Sequence, residues 1–470
     1  MKKHNFIISS TRPELLSKQI TSFLNIREGR KLGFYVFNDD ESRNNEFMIE
    51  INKLKLIPHA NIFYFNIEKQ IKIIKDIASK YSKILGVNKE IIINCFKENG
   101  KLRGIRSIQN KSIFIFYSKN KDIESIVHRL DDDIFPYEAH RHTNTIEIVI
   151  KHDFFKKKEA SINNDVKIIS GNNYTIDSPS PLVNYIDFVE FLFNFYKIAK
   201  NKYIDSKIGK DILKISPASV KKIYDPFKTL DILPIDQDFT YKEAVNAFEK
   251  YAKLIESGDS RVIINDNKEN RNGFNKFFPG GCVSFIYKNF PTLTPNFGNQ
   301  DLLWELIEII DGKMLLTDGY IGHIKSQTQR VSIVNDLKDS SYKHQTAITY
   351  SVFKYLIAKN NNNYKLLNFQ KDFIDLMDKW LYEANHYSNQ IIHLLNNKNA
   401  WYADEFNFSS TILVKKICSD FINSYEEIKS NFSQSTENIN LMMSNYYKDK
   451  KIFDKLIKQI TADCGILKDI

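Results

Sequence analysis

The first 130 residues alternate between two local patterns, and this alternation constrains the fold more than any other feature of the chain. "HNFIIS" (4–9), "KLGFYVF" (31–37), "ANIFYFNI" (60–67) and "SIVHRL" (125–130) are short runs rich in β-branched and aromatic residues. Between them, residues 13–25, 43–55, 69–84 and 104–118 carry apolar positions at helical spacing. Strand, helix, strand, helix predicts an α/β chain built on a mainly parallel sheet flanked by helices. Such sheets bind ligands where the loops gather, at the carboxyl ends of the strands. The loops that fall there are "SSTRP", "NDDES" and "DDDIFP".

The rhythm then breaks. Residues 155–265 contain "KKKEASINND", a turn-rich "SGNNYTIDSPSP" and the aromatic run "LVNYIDFVEFLFNFYKIAK", and they read as an insertion. A further helix is expected from Thr240, because Thr240 and Glu243 have capping-box spacing and Val245, Phe248, Ala252 and Ile255 share one face. From about 336 onward the pattern is helical, with Phe369, Phe373, Leu376 and Trp380 on one stripe. The expected organisation is a catalytic-sized domain over 1–335, carrying the 155–265 insertion on its acceptor side, followed by a helical region over 336–470.

A chain of 470 residues, 42% hydrophobic and 26% charged, can bury a large core and is not a disordered polymer. The four cysteines, Cys95, Cys282, Cys418 and Cys464, lie far apart without a CxxC or Cys/His pattern, so neither a zinc site nor a disulfide framework is expected. No apolar stretch is long enough to cross a bilayer, and "MKKHNFIISSTRP" has too short an apolar run for a secretory signal, which points to the cytoplasm. The net charge of +10 is spread along the chain rather than gathered in a block, which argues against a nucleic-acid partner.

The stretch "HRLDDDIFP" (128–136) sets three carboxylates at the end of an apolar strand, and Pro136 stops that strand. A solvated turn or a helix start would relieve their repulsion, and so would a cation. In an extended chain Asp131 and Asp133 face the same side, giving half a site for Mg²⁺ or Mn²⁺, which completes its shell with water and phosphate oxygens. A diphosphate ligand follows from that chemistry.

Four segments in order extend the comparison: "IISSTRPELL", "YVFNDDES", "VHRLDDD" and "FPGGCVSFIYKNFPTLTPNFGNQDLLW". Together they resemble the inverting, family-2-like nucleotide-sugar glycosyltransferases with a GT-A fold, over residues 1–154 and 266–330. The resemblance implies that Asp39 and Asp40 recognise nucleobase and ribose, with Thr11 and Arg12 nearby. It puts Arg103 and Arg106 near the diphosphate, and Asp131 and Asp132 against the nucleotide sugar. Asp133, with Asp131, would hold Mn²⁺ or Mg²⁺, and His323 would be a further ligand. Gly280 and Gly281 would lie against the donor sugar, where the absence of a Cβ permits close approach. Asp301 would be the general base that takes the proton from the acceptor hydroxyl. Two departures stand out: Gln300-Asp301 replaces an acidic pair, and Gln109-Asn110 replaces an Arg-Asn pair.

The implied activity is metal-dependent sugar transfer from a nucleoside diphosphate donor, a UDP-sugar first among them, to a glycan or lipid-linked acceptor in bacterial surface glycan synthesis. A sugar nucleotidyltransferase shares these parts but should carry a glycine-rich basic loop after the first strand, which "SSTRPELL" lacks. A non-catalytic sugar-nucleotide or glycan-binding protein of the same fold is the other alternative. The aromatic stripe of the C-terminal region is a packing face, against the catalytic domain or a second copy. The basic, amphipathic "YYKDKKIFDKLIKQI" suits peripheral contact with the inner face of the membrane.

Overall fold

The protein is described from a computed structural model. It describes residues 2–120 without a break and, beyond them, mainly the elements named below; the longest stretches outside the described residues are 209–238, 264–281, 295–303, 324–331 and 339–351. The chain forms two compact units that interleave along the sequence. The first comprises Met1–Tyr174, Phe278–Ser326 and Met442–Ile470, the second Thr175–Phe277 and Gln327–Leu441. The sequence reading instead divided the chain at 335.

The first unit is built on an eight-stranded sheet in the order β3 (Ala60–Phe65), β2 (Leu32–Asn38), β1 (His4–Ser10), β4 (Ile126–Asp131), β11 (Cys282–Ile286), β8 (Ile168–Asn173), β12 (Met314–His323) and β5 (Ile134–Phe135). Strands β1 (His4–Ser10), β2 (Leu32–Asn38), β3 (Ala60–Phe65) and β4 (Ile126–Asp131) are mutually parallel, as the strand–helix alternation requires. Helices α1 (Pro13–Asn25), α2 (Asn44–Lys55), α3 (Ile67–Leu85), α4 (Lys89–Asn94) and α5 (Ile105–Lys119) occupy the crossovers. Pro13 opens α1, where its missing N–H costs nothing, and Asn66 caps α3 by accepting from Lys69 N at 2.9 Å. One sheet face buries Phe6, Ile8, Phe34, Val36 and Leu130 against Leu16, Ile20 and Phe23 of α1 and Phe47, Ile51 and Leu54 of α2. Each of these apolar side chains contributes roughly 1.5–3 kcal/mol by leaving water.

Beyond β4 the sheet is mixed. The short β5 (Ile134–Phe135) follows the acidic turn, and the hairpin β6 (Tyr137–His142) and β7 (Thr145–Ile150) pairs outside the main sheet. Strand β11 (Cys282–Ile286) runs antiparallel to β4, with Cys282 opposite Leu130. Between β11 and β12 (Met314–His323) lies β8 (Ile168–Asn173). The residues read as the start of an insertion therefore supply an interior strand of the sheet.

Helix α6 (Phe154–Ser161) packs Phe154 and Phe155 into the same core. It also completes a buried polar chain. Ser284 Oγ meets His128 Nδ1 at 2.8 Å, His128 Nε2 meets His4 Nδ1 at 2.8 Å, and His4 Nε2 meets Glu159 Oε1 at 3.0 Å. Arg30 closes the chain by donating to both Glu159 oxygens at 2.9 and 3.0 Å. Both histidines are fully buried, and desolvation holds His4 down to about 4 and His128 well below its ordinary value.

The last helix, Ser409–Ala462, returns to the first unit from Met442. There it buries Tyr446, Phe453, Leu456, Ile457 and Ile460, with Phe453 4.7 Å from the Phe114 ring. Lys448, Lys451, Lys455 and Lys458 face outward. The apolar face expected to meet a membrane is thus covered by the chain's own core, leaving charge alone for contact with an anionic surface. Among the described residues no helix is long and apolar enough to cross a membrane.

The second unit is largely helical. Helix α7 (Pro181–Ala199) lies beside the helix Phe369–Leu395, where Tyr185 Oη meets Ser388 Oγ at 2.8 Å. Phe191 and Phe195 of α7 pack edge-on against Phe248. Phe248 belongs to the helix Tyr241–Ser257, which begins as its spacing predicts: Thr240 N donates to Glu243 Oε2 at 2.6 Å, and Glu243 N donates to Thr240 Oγ1 at 3.2 Å. Val245, Phe248, Ala252 and Ile255 are all buried, as are Phe369, Phe373, Leu376 and Trp380.

Candidate functional site

The sheet order reverses at β1: β2 and β3 lie to one side and β4 to the other. The carboxyl ends of strands beside such a reversal are where open α/β sheets bind ligands. Three sequence-selected segments meet at this place. Ser10 ends β1, Asp39 follows β2, and Asp131 ends β4. The backbone links the first two directly, since Asp39 N donates to Ser10 O at 3.2 Å.

Asp132 locks the first loop to the fourth strand. Its Oδ2 accepts from Ser10 Oγ at 2.7 Å and from Thr11 N at 3.2 Å, and its Oδ1 accepts from Arg12 Nε at 3.1 Å and from Arg12 Nη2. The residue is 5% exposed. Its carboxylate is engaged by the chain's own donors, so Asp132, expected against a nucleotide sugar, holds the first loop against the fourth strand. The strand stops at Asp131 and turns at Asp132. Gln19, buried on α1, braces this turn by donating from Nε2 to Asp131 O at 2.6 Å and to Ile134 O at 2.7 Å.

The two acids after β2 have different duties. Asp40 Oδ1 caps the short turn Glu41–Arg43, accepting from Ser42 N at 3.0 Å and Ser42 Oγ at 2.6 Å, and these bonds hold its carboxyl below the usual range. Asp39 is half-buried, and desolvation pushes it up to about 6 against the opposing charge of Lys111. Its Oδ2 accepts from Gly104 N at 3.2 Å, while its Oδ1 is buried with no hydrogen-bond partner among the described residues. A buried carboxylate oxygen without a donor is costly, and a ligand N–H or O–H removes the cost.

The arginines assigned to a diphosphate are engaged elsewhere. Arg103 pairs with Glu41 at the surface. Arg106 is 2% exposed and donates from Nε to Thr294 O at 3.1 Å, from Nη1 to Lys97 O, and from Nη2 to Asp449 at 3.2 Å. Its guanidinium ties α5 to the last helix and to the segment at Thr294, where Asn110 adds bonds in both directions. The planar guanidinium suits such a buried site, where its fixed fork reaches several acceptors at once.

Gly104 occupies the left-handed region at φ +101°, and a Cβ there would lie 2.4 Å from Glu98 Oε2. Glu98 Oε2 in turn accepts from Arg106 N at 2.8 Å. Gly104→Ala is expected to cost about 1–3 kcal/mol in urea-unfolding stability, from backbone strain and displacement of Glu98.

Sheet register carries the remaining assignments as far as the backbone allows. Asp133, Asp301, Gly280 and Gly281 lie outside the described residues, as does the side chain of His323. Cys282, which follows the glycine pair, stands opposite Leu130, beside Asp131. His323 pairs with Ile134, next after Asp133. Trp304, three residues after Asp301, is fully buried, and the Arg129 guanidinium lies over its ring at 4.6 Å. Since Arg129 precedes Asp131 by two residues, Trp304 is anchored to the strand that ends in the acidic turn.

No three His, Cys, Asp or Glu side chains among the described residues gather to hold a metal ion. A catalytic Mg²⁺ or Mn²⁺ commonly uses one or two carboxylates together with substrate phosphates, and Asp131 is the described residue that fits that part. The composition gave no signal for Ser10, Gln19 or Gly104. Lys111 had one: it is a lone charge entering the apolar run "KSIFIFY". It is fully buried, donates to Leu102 O at 2.9 Å, and is held down to about 8 by desolvation.

No protein-family model matches the chain, and no curated protein matches it in sequence. Among solved structures, the crystal structure of S. aureus TarS 1-349 in complex with UDP-GlcNAc is similar with a TM-score of 0.34 at 10% identity, covering 92% of each chain. A likeness at that level carries no argument about chemistry.

Proposed function

We propose that this chain is a nucleotide-sugar glycosyltransferase that moves a sugar from a nucleoside diphosphate, a UDP-sugar foremost, to a hydroxyl of a glycan or lipid-linked acceptor. The observation that carries this reading is the convergence beside the reversal at β1: the Asp132-locked first loop, Asp39 with its unserved oxygen, and Asp131 lie at the carboxyl ends of three neighbouring parallel strands. The Trp304 anchor supports bringing the Asp301 segment to the same strand end.

In this reading Asp39 accepts hydrogen bonds from the nucleoside. Asp133, with Asp131, would hold Mn²⁺ or Mg²⁺ at the diphosphate, and the ion would offset charge on the departing phosphate as a Lewis acid. Asp301 takes the proton from the acceptor hydroxyl as that oxygen attacks the anomeric carbon from the face opposite the leaving group. Buried Trp304, packed under Arg129, would anchor the end of the base segment, and the Asp132 lock would keep the first loop out of the nucleotide space.

The test is donor turnover. Release of nucleoside diphosphate from UDP-, GDP- and dTDP-sugars should be detectable for one class with Mn²⁺, and should vanish with EDTA and in Asp133→Ala. Absence of release from every donor in every metal would count against the reading.

A further inference from the structure

Lys111 is the charged residue of this region that no assignment above uses, and its surroundings are unusual. Its ammonium is fully buried within α5, yet its one hydrogen bond among the described residues goes to a neutral carbonyl, Leu102 O at 2.9 Å. A buried ammonium is stable only with charge compensation. The compensating group is Asp39, whose charge is the foremost electrostatic influence favouring the Lys111 cation, as Lys111 is for the Asp39 anion.

The geometry explains how two groups that do not touch act together. Lys111 grips Leu102 O and Asp39 Oδ2 grips Gly104 N at 3.2 Å, so the anion and the cation hold one three-residue turn from two sides. That turn carries Arg103, itself tied to Glu41 beyond β2. The other charges bearing on Asp39 are Glu98, which opposes its ionisation, and Arg103, which assists it.

Resting on the nucleotide reading of this site, we propose that Lys111 is a positioning residue: it fixes the Leu102–Gly104 turn against Asp39 and keeps that carboxylate an acceptor for the donors of a bound nucleoside. Lys111 contacts no substrate in this role. Its effect reaches the ligand through Asp39 alone.

The sign of the pH dependence follows. Burial raises Asp39 to about 6, so nucleoside binding through an ionised Asp39 is complete above that pH and is lost as pH falls through it. Removing the Lys111 charge withdraws the main influence that lowers Asp39, so the loss must begin at higher pH. Arginine keeps the charge and restores the wild-type profile.

The experiment combines a ligand-free and a ligand-bound readout on the full chain. Carbon-13 spectra of carboxyl-labelled aspartate, with Asp39→Asn to assign the signal, give the Asp39 midpoint in wild type, Lys111→Met and Lys111→Arg. Calorimetry with UDP then follows affinity from pH 5.5 to 8.5. The expected result is a midpoint raised by about one pH unit in Lys111→Met and unmoved in Lys111→Arg. UDP affinity in Lys111→Met should fall about fivefold at pH 6 and by less than about twofold at pH 8, as a one-unit shift dictates. An unmoved midpoint in Lys111→Met overturns the proposal whatever UDP does. A raised midpoint with no UDP binding to any of the three proteins removes the nucleotide reading and overturns it from that side.

Discussion

Asp301→Asn is expected to lower kcat for sugar transfer by about 10²–10⁴-fold while leaving donor affinity within about twofold, because a general base acts in the transition state and not in donor binding. The asparagine keeps the size of the side chain and removes its capacity to take a proton. The same carboxylate could serve only to complement a helix N-terminus, a role worth about 0.3–1 kcal/mol of stability and no specific loss of rate. The two roles separate in one pair of measurements. Steady-state turnover of the donor–acceptor pair should collapse, and urea unfolding should change by less than about 1 kcal/mol. A variant that loses stability and keeps its kcat would assign Asp301 to structure. Trp304 makes the test interpretable, since its buried stacking on Arg129 should hold the segment in place after the substitution.

The second large effect is acid lability from the chain Ser284–His128–His4–Glu159–Arg30. His4 titrates near 4 when folded and near 6.5 when unfolded, so below 6.5 the unfolded chain binds a proton that the folded chain refuses. Stability from this site is therefore whole above 6.5 and declines as pH falls toward 4, by about 3 kcal/mol from His4 alone. His128 shifts in the same direction. Asp39 acts oppositely, because its raised folded value makes the native state take up a proton between about 6 and 3.8. Urea unfolding in the Asp39→Asn background removes that offset. In that background unfolding free energy should drop steeply between pH 6.5 and 4.5; a flat profile would mean that one imidazole is already protonated in the folded chain.

Much of the first unit was legible because its elements are locally determined. Strands near 4–9, 31–37, 60–67 and 125–130 and the four long helices between them appear within a few residues of their expected bounds. Thr240 and Glu243 announced a capping box that the structure contains. The interior strand "IISGNN" was not legible, since glycine and asparagine are poor strand formers and its place comes from pairing with β11 and β12.

Side-chain duties were harder to read than elements. The resemblance put Arg106 near a diphosphate, but its partner Asp449 is 343 residues away, and no local pattern could indicate that pairing. Asp132 was read with its neighbours as one acidic cluster. Its neutralisation by Ser10, Thr11 and Arg12 depends on β1 lying beside β4. Lys111 could have been noticed as a charge in an apolar helix, though its relation to Asp39 needed the turn at Gly104.

The central claim is that a nucleoside diphosphate binds at the carboxyl ends of β2, β1 and β4, with Asp39 as an acceptor. Calorimetric titration of the full chain with UDP and Mn²⁺ at pH 7.5, in wild type and Asp39→Ala, tests it most directly. The account predicts one-to-one binding in wild type, weakened at least about tenfold in Asp39→Ala, the scale of a lost hydrogen bond to a charged group. Equal affinity in the two proteins, or no binding to either, would contradict it.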